Sequence, residues 1–514
     1  MSWRQRRGLL LLCLMILLPR PAAAEWPTDP RVNLALCTAP GDQTRPTVVS
    51  DGAGGAVVAW EDQRTGNWDI YAQHVLAAGT VDPRWPANGR ALCTAINDQS
   101  RPEMVSDGAG GAIVSWQDAR SGRTNIYAQH VLAGGAVDPA WPMDGLALGS
   151  SDDTQIEQVV VPDGAGGAIV SWLSSPTDNG SHAGGFPGGT TIVAQHVLIG
   201  GAVDSVWAAR GRRLGSVRTL SRDYLTTTHR GVADGAGGAI FIWVDNQEPL
   251  ETCGQHVLAD GALDSAWADR ARPLCMATER ASDPVMLPDG RGGAILAWTG
   301  GGRAVAQHVL ATGAVDPEWP PQGRGLALPG PTRTRDAPVQ QLAGGIVADG
   351  AGGAIVAWEC DRYDNPDDIY VQHVLAKGDV DSTWSSAGCR LHQSARFARN
   401  LGAIVADGHG GAVVTWTRIL DFGGISLHGR EFHSDDDIHA QHVLASGVPD
   451  PAWPANGSAV CTAKQGQLEP RIVADDAGGY IVVWQDRRNH GQDDIYAQRI
   501  QSNGWLGGAV SGPR

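Results

Sequence analysis

The stretch DGAGGAVVAW at residues 51–60 recurs eight times, with small changes, along a chain of 514 residues. The copies begin at Asp51, Asp107, Asp163, Asp234, Asp289, Asp349, Asp407 and Asp475, the last as DDAGGYIVVW. Repetition of this kind restricts the chain to architectures in which each unit buries its apolar faces only against its neighbours.

One unit reads as four strands. The β-branched run 46–51 ends at an Asp-Gly turn signal. The run 56–62 follows the GAGG turn and is apolar on both alternating faces, so it predicts a strand covered on two sides. Residues 69–76 (DIYAQHVL) and 90–95 (RALCTA) supply two more, and no segment carries a capped helical period. Antiparallel sheets of four strands, apolar on both faces and repeated about every 55 residues, predict an all-β protein, an eight-bladed β-propeller. The strands of each blade are called a to d.

Lengths between fixed points order the connections. From the turn Asp to the Trp of strand b is nine residues in every copy, as in Asp51 to Trp60. From the Gln of strand c to the apolar anchor of strand d is nineteen in the seven complete copies, as in Gln73 to Leu92. From Trp to Gln, across the b–c connection, the lengths are 13, 13, 23, 12, 9, 14, 25 and 14. The d–a connections vary too. In an up-and-down sheet the a–b and c–d turns share one face of the disc, and the b–c and d–a connections share the other. All insertions therefore fall on one face, which predicts the binding face. The longest are 173–191 in blade three and 417–437 in blade seven. The eighth copy stops before a full strand d, while VNLALCTA (32–39) matches RALCTA with no strands a to c ahead of it. The N-terminal segment is expected to complete blade eight and close the ring.

Arg4, Arg6 and Arg7 precede the apolar run 9–18, followed by Ala22-Ala23-Ala24. This predicts a secretory leader over 1–24, cleavage near Ala24, a single propeller domain over 25–514, and export to the medium, periplasm or cell surface. No other segment is apolar enough to span a membrane. Removing the four leader arginines leaves 35 basic against 55 acidic residues, a poor surface for nucleic acid. Cys37, Cys93, Cys275 and Cys461 recur at one repeat position, which separates them in space, so buried thiols are expected rather than disulfides.

Seven histidines recur in Gln-His-Val, from His74 to His442. Copy eight has Arg499 instead, which points to a structural role. Asp62, Arg64 and Asp69 in the b–c loop predict local ion pairing and turn capping. Six residues before each turn Asp stand Arg45, Arg101, Glu157, Thr228, Asp283, Ala343, Leu401 and Glu469. Blades eight, one, two and three thus present Glu469, Arg45, Arg101 and Glu157 in order at the channel mouth. Arginines there suit carboxylates or phosphates, with mutual neutralisation as the alternative. Trp68 is a candidate stacking platform. The loop 417–437 gathers His433, Asp435 and Asp436, candidate ligand-binding groups. No metal or cofactor is expected. The Gly-Lys fingerprint of quinone-dependent eight-bladed oxidoreductases is absent.

The repeat W-x-D-x-R-x-G-x-x-D-I-Y, at Trp60, Asp62, Arg64, Gly66, Asp69, Ile70 and Tyr71 and again from Trp116 to Tyr127, resembles propeller modules of the sialidase-like, BNR-repeat type. The intact Asp box of that family is missing. The reading from sequence is an exported, monomeric, non-catalytic module that binds an extracellular glycan, peptide or surface polymer. The alternative that the resemblance implies is a sialidase-type glycoside hydrolase, with Arg45 and Arg101 holding an acidic sugar and Tyr224 as nucleophile beside Glu157.

Overall fold

The computed structural model describes residues 25–149, 153–175, 190–217, 229–245, 251–267, 272–275, 281–300, 303–326, 340–362, 365–392, 398–419, 435–489 and 491–508. The expected leader, most of both long b–c loops, Tyr224 and His433 lie outside them. The described chain folds into eight antiparallel sheets, one per copy. In blade one the order is Gln43–Ser50, Ala56–Asp62, Asp69–Val75 and Arg90–Cys93. Blade three adds a short fifth strand, Ala202–Val203. One short 3-10 turn, Ser265–Trp267, is the one helical element among the described residues.

Burial follows the apolar pattern. Every residue of Ala56–Asp62 is buried, and the strand-b tryptophans Trp60, Trp116, Trp172, Trp243, Trp358, Trp416 and Trp484 are wholly inaccessible. The apolar clusters are shared between adjacent blades. One joins Val57 and Ile70 of blade one to Val114 and Trp116 of blade two. Neighbouring sheets are thus each other's core, which is why one copy has no independent interior.

A second set of tryptophans ties the ring together at the c–d corners. Trp85 Nε1 donates to the Ala133 carbonyl of the next blade at 3.4 Å. The same bond runs from Trp141, Trp207, Trp267, Trp319, Trp384 and Trp453 into blades three to eight. Trp26 supplies the eighth, donating to the Ala77 carbonyl of blade one at 3.0 Å. Each ring lies against the corner glycine of the following blade; a Cβ at Gly135, where φ is +80°, would fall 2.6 Å from Trp85. Gly79 (φ +78°) stands in the same relation to Trp26. Blade eight is built from Gln467–Ala474, Gly479–Asn489, Gln492–Gln501 and, as its outer strand, Leu34–Cys37, which pairs antiparallel with Gln492–Gln501. Gln498 Nε2 donates to the Pro27 carbonyl, as Gln73 Nε2 does to Pro86 in blade one. Residues 26–37 thus take the place of the missing corner and strand d. Among the described residues of the C-terminal segment, 505–508 contribute single bridges, Ile500 to Leu506 and Trp26 to Gly508.

The recurring histidines hold the metrically constant face. His74 Nε2 meets Asp51 Oδ2 of the a–b turn at 2.8 Å, and Nδ1 meets Asp82 Oδ2 of the c–d turn at 2.8 Å. His130, His196, His256, His308, His373 and His442 repeat this clamp. In blade eight Arg499 Nε reaches Asp475 at 2.6 Å instead. The clamp fixes two turns against each other, so neither length can change without breaking it. Cys37, Cys93, Cys253, Cys360, Cys389 and Cys461 are buried, and burial pushes Cys37, Cys93 and Cys461 up to about 12.

Candidate functional site at the mouth of blades eight, one and two

Strand a runs further than the apolar pattern predicts, because it passes through a bulge. Pairing with strand b slips between Thr44 and Thr47 in blade one, Ser100 and Glu103 in blade two, Ile156 and Val159 in blade three, and Leu468 and Arg471 in blade eight. Inside each slip sits one of the four charged residues picked out from sequence. All four take left-handed backbone angles: φ is +53° at Arg45, +54° at Arg101, +56° at Glu157 and +54° at Glu469. A residue with a Cβ pays about 1–2 kcal/mol for that conformation. Bulges re-aim one side chain out of the pleat, and such strain gathers at functional sites.

Strand b of the preceding blade holds the bulge. Glu61 Oε1 accepts the Arg101 backbone N–H at 2.6 Å, and Oε2 accepts the Thr44 hydroxyl at 3.2 Å. Burial lifts the Glu61 carboxyl above its usual range, against the opposing pull of the Arg101 N–H and of Arg45. Arg45 Nη1 lies 3.7 Å from Glu61 and stays half exposed. Arg101 Nη1 and Glu157 Oε1 pair at 2.6 Å, so these two neutralise each other. In blade four His229 replaces the proline of blades one, two and eight. It is buried between the Glu157 carbonyl and Ser171 Oγ, each 3.0 Å away, and burial drives its pKa down to about 3.

Over this sector opens a cavity of about 520 Å³. Blade one contributes Asp42, Thr44, Arg45, Glu61 and Trp68; blade eight Glu469, Gln485, Arg487 and Asp493; blade two Asp98 and Ser100. The b–c and d–a segments are stitched together here. Asp493 N donates to Asp42 Oδ1 at 3.1 Å, Trp68 N to Asp98 Oδ1 at 3.0 Å, and Arg487 Nε to Asp493 Oδ1 at 2.8 Å. Arg45 and Glu469 are exposed, and Trp68 is half-buried rather than the free platform expected. The lining contains no histidine, cysteine, tyrosine or lysine. The arrangement offers an indole face, an amide, hydroxyls and charges of both signs, which suits hydrogen bonding and stacking.

The other predicted positions lie elsewhere. Asp435 Oδ1 caps the Gln465 N–H at 2.8 Å and Asp436 is buried at the start of strand c in blade seven. The Asp62–Arg64 pair is bidentate, with Nε at 2.8 Å and Nη2 at 2.5 Å, and Asp62 also accepts Trp60 Nε1 at 2.9 Å. Arg64 lies over the Tyr71 ring at 3.9 Å. The same unit recurs at Arg120 and Arg488, again in blades two and eight. Asp69 does not join it, bonding Thr65 and Asn67 instead. Among the described residues no group of three or more metal-ligating side chains is found.

Sequence reasoning missed Asp42, Asp98, Gln485, Arg487 and Asp493. A signal existed. Gln43, Gln99, Gln155 and Gln467 stand two residues before the four bulge residues, and among the other blades blade six repeats the glutamine, as Gln341 before Ala343. Gln43 Nε2 donates to the Ala39 and Gly41 carbonyls, fastening the d–a turn that carries Asp42.

No family model and no curated protein sequence matches the chain. Among solved structures it is similar to a puromycin hydrolase at 15% identity and TM-score 0.42, over 90% of this chain and 61% of that one. A protein of unknown function from Dyadobacter fermentans DSM 18053 follows at 10% and 0.38, over 91% of this chain and 96% of that one. Prolyl oligopeptidase B from Galerina marginata is similar at 9% and 0.41, over 90% and 56%. The chain spans about 61% of the hydrolase's length. At these identities and scores, nothing of their activities passes to this chain.

Proposed function

We propose that the chain is an exported, non-catalytic propeller that binds an extracellular polymer, a glycan foremost, in the cavity over blades eight, one and two. The observation that carries this reading is the set of four charged residues held at left-handed angles on consecutive blades, two of which, Arg45 and Glu469, line a cavity edged by an indole. Left-handed backbone at the bulge position of four consecutive blades is explained by a ligand that needs side chains aimed at it. The insertions gathered on the same face support a face free to vary for recognition. Likeness of the Trp60–Tyr71 and Trp116–Tyr127 repeats to sialidase-type propellers supports a saccharide. A sialidase-type hydrolase is less well supported, because Glu157 is tied to Arg101 and the cavity lining holds no tyrosine.

Probing a glycan and peptide array with the chain tests this. Capture of a discrete set of glycans is expected. Trp68→Ala should weaken it about tenfold through lost stacking, and Arg45→Ala by a similar factor, with the melting temperature of the Arg45 variant held. Capture unchanged by both substitutions would remove the cavity from the account.

A further inference from the structure

In blades one, two and eight the strand-b tryptophan donates Nε1 to an aspartate two residues on: Trp60 to Asp62, Trp116 to Asp118 and Trp484 to Asp486. That carboxylate also receives an arginine guanidinium and lies 3.8 Å from a cysteine thiol of the preceding strand d. The nook between two blades is filled and its donors are satisfied.

Blade seven rebuilds the same nook with the carboxylate missing. Arg418 stands at the aspartate position, His439 at the tyrosine position and His392, from strand d of blade six, at the cysteine position. Both imidazoles pack on Trp416, with ring centres 5.7 Å away for His392 and 6.0 Å for His439. His392 is 2% exposed and His439 6%. Trp416 Nε1, Arg418 Nε and all four ring nitrogens of the two histidines are buried without a hydrogen-bond partner. The Asn456 carbonyl acts on His392 electrostatically but not in hydrogen-bonding geometry. Trp172, Trp243 and Trp358 also keep an unpartnered Nε1, so the indole alone signals nothing. What sets blade seven apart is one indole, one guanidinium and two imidazoles, all short of an acceptor. A buried donor left unmade costs about 1–3 kcal/mol, so several in one place need a common acceptor.

We propose that this nook binds a small oxyanion, which stands where the aspartate carboxylate stands in blades one, two and eight. A cation is disfavoured there by Arg418 and by Arg390, both of which act on His392. Arg418 does act on Asp437, but burial lifts that carboxyl to about 7, so its negative charge is partial at neutral pH. The site is separate from the cavity over blades eight, one and two.

Calorimetric titration of the purified chain with inorganic phosphate, sulfate and acetate, each in turn, tests the proposal. Saturable binding of one anion per chain is expected for at least one of the three. Arg418→Asp restores the carboxylate of the sister blades, so this variant should fold and lose the anion by about tenfold or more in affinity. His439→Tyr restores the residue of blades one, two, six and eight, and should weaken binding as well if the Arg418 variant fails to fold. No saturable binding of any of the three, or equal binding in the folded variants, would overturn the proposal.

Discussion

Trp26→Ala should destabilise the folded chain by about 3–5 kcal/mol, a large part of what holds a typical domain together. The side chain is 1% exposed, packs on Gly79, and makes the eighth of the eight corner bonds that run round the ring. It also lies in the segment that gives blade eight its outer strand. Its loss leaves a cavity at the seam and loosens Leu34–Cys37, exposing an unpaired sheet edge. Trp505→Ala is the matched control. That side chain is 70% exposed, so its removal should stay within about 0.5 kcal/mol. Urea denaturation followed by circular dichroism separates the two. Equal midpoints for both variants would show that the seam does not carry stability.

His130→Ala should cost about 3 kcal/mol, because it leaves the carboxylates of Asp107 and Asp138 without the imidazole that hydrogen-bonds both. The clamps also make stability depend on pH at both ends. At Asp51, Asp234, Asp289, Asp349 and Asp407 burial works against ionisation, but the histidine and two backbone N–H groups outweigh it and hold the carboxyl below its usual value. A group depressed on folding contributes stability above its unfolded pKa, near 4, and loses it as pH falls through the folded value. At His74 burial likewise opposes charge, and the bonds to Asp51 and Asp82 prevail, raising its pKa above 6.5. A raised histidine contributes fully below its unfolded pKa and loses the contribution as pH rises through the folded value. Denaturation midpoints should therefore form a plateau in mildly acidic buffer, drop steeply below about pH 4 and decline more gently above neutrality. Replacing His74 by Gln should flatten the alkaline decline. A midpoint that climbs steadily from pH 6 to 9 would contradict the clamp.

The blade, its strand order and its constant face were legible because nine- and nineteen-residue spacings are set by local turns and repeat eight times. Even the clamp left a trace: the copy that has Arg499 for histidine also lacks the Asp of the c–d corner, so both partners vanish together. The site was less legible, since it is assembled across blades. Asp42 and Asp493 are 451 positions apart and meet only where the ring shuts. Left-handed angles at Arg45, Arg101, Glu157 and Glu469 are invisible in residue identity, because charged residues have no preference for them. Loop length drew attention to blades three and seven, whereas the described cavity lies over blades with short b–c loops, where exchanges between neighbouring turns make the wall.

The account rests on the ring closing so that blade eight meets blade one and forms the cavity between them. Cysteines placed at 42 and 493 test that contact directly. The native thiols at Cys37, Cys93 and Cys461 are buried and protonated far above neutrality, so they should stay silent. Treating Asp42→Cys/Asp493→Cys with a short thiol–thiol cross-linker and mapping the peptides should give one major product joining positions 42 and 493 within one natively folded chain. Independent labelling of the two cysteines, with no joined peptide from natively folded protein, would contradict the account.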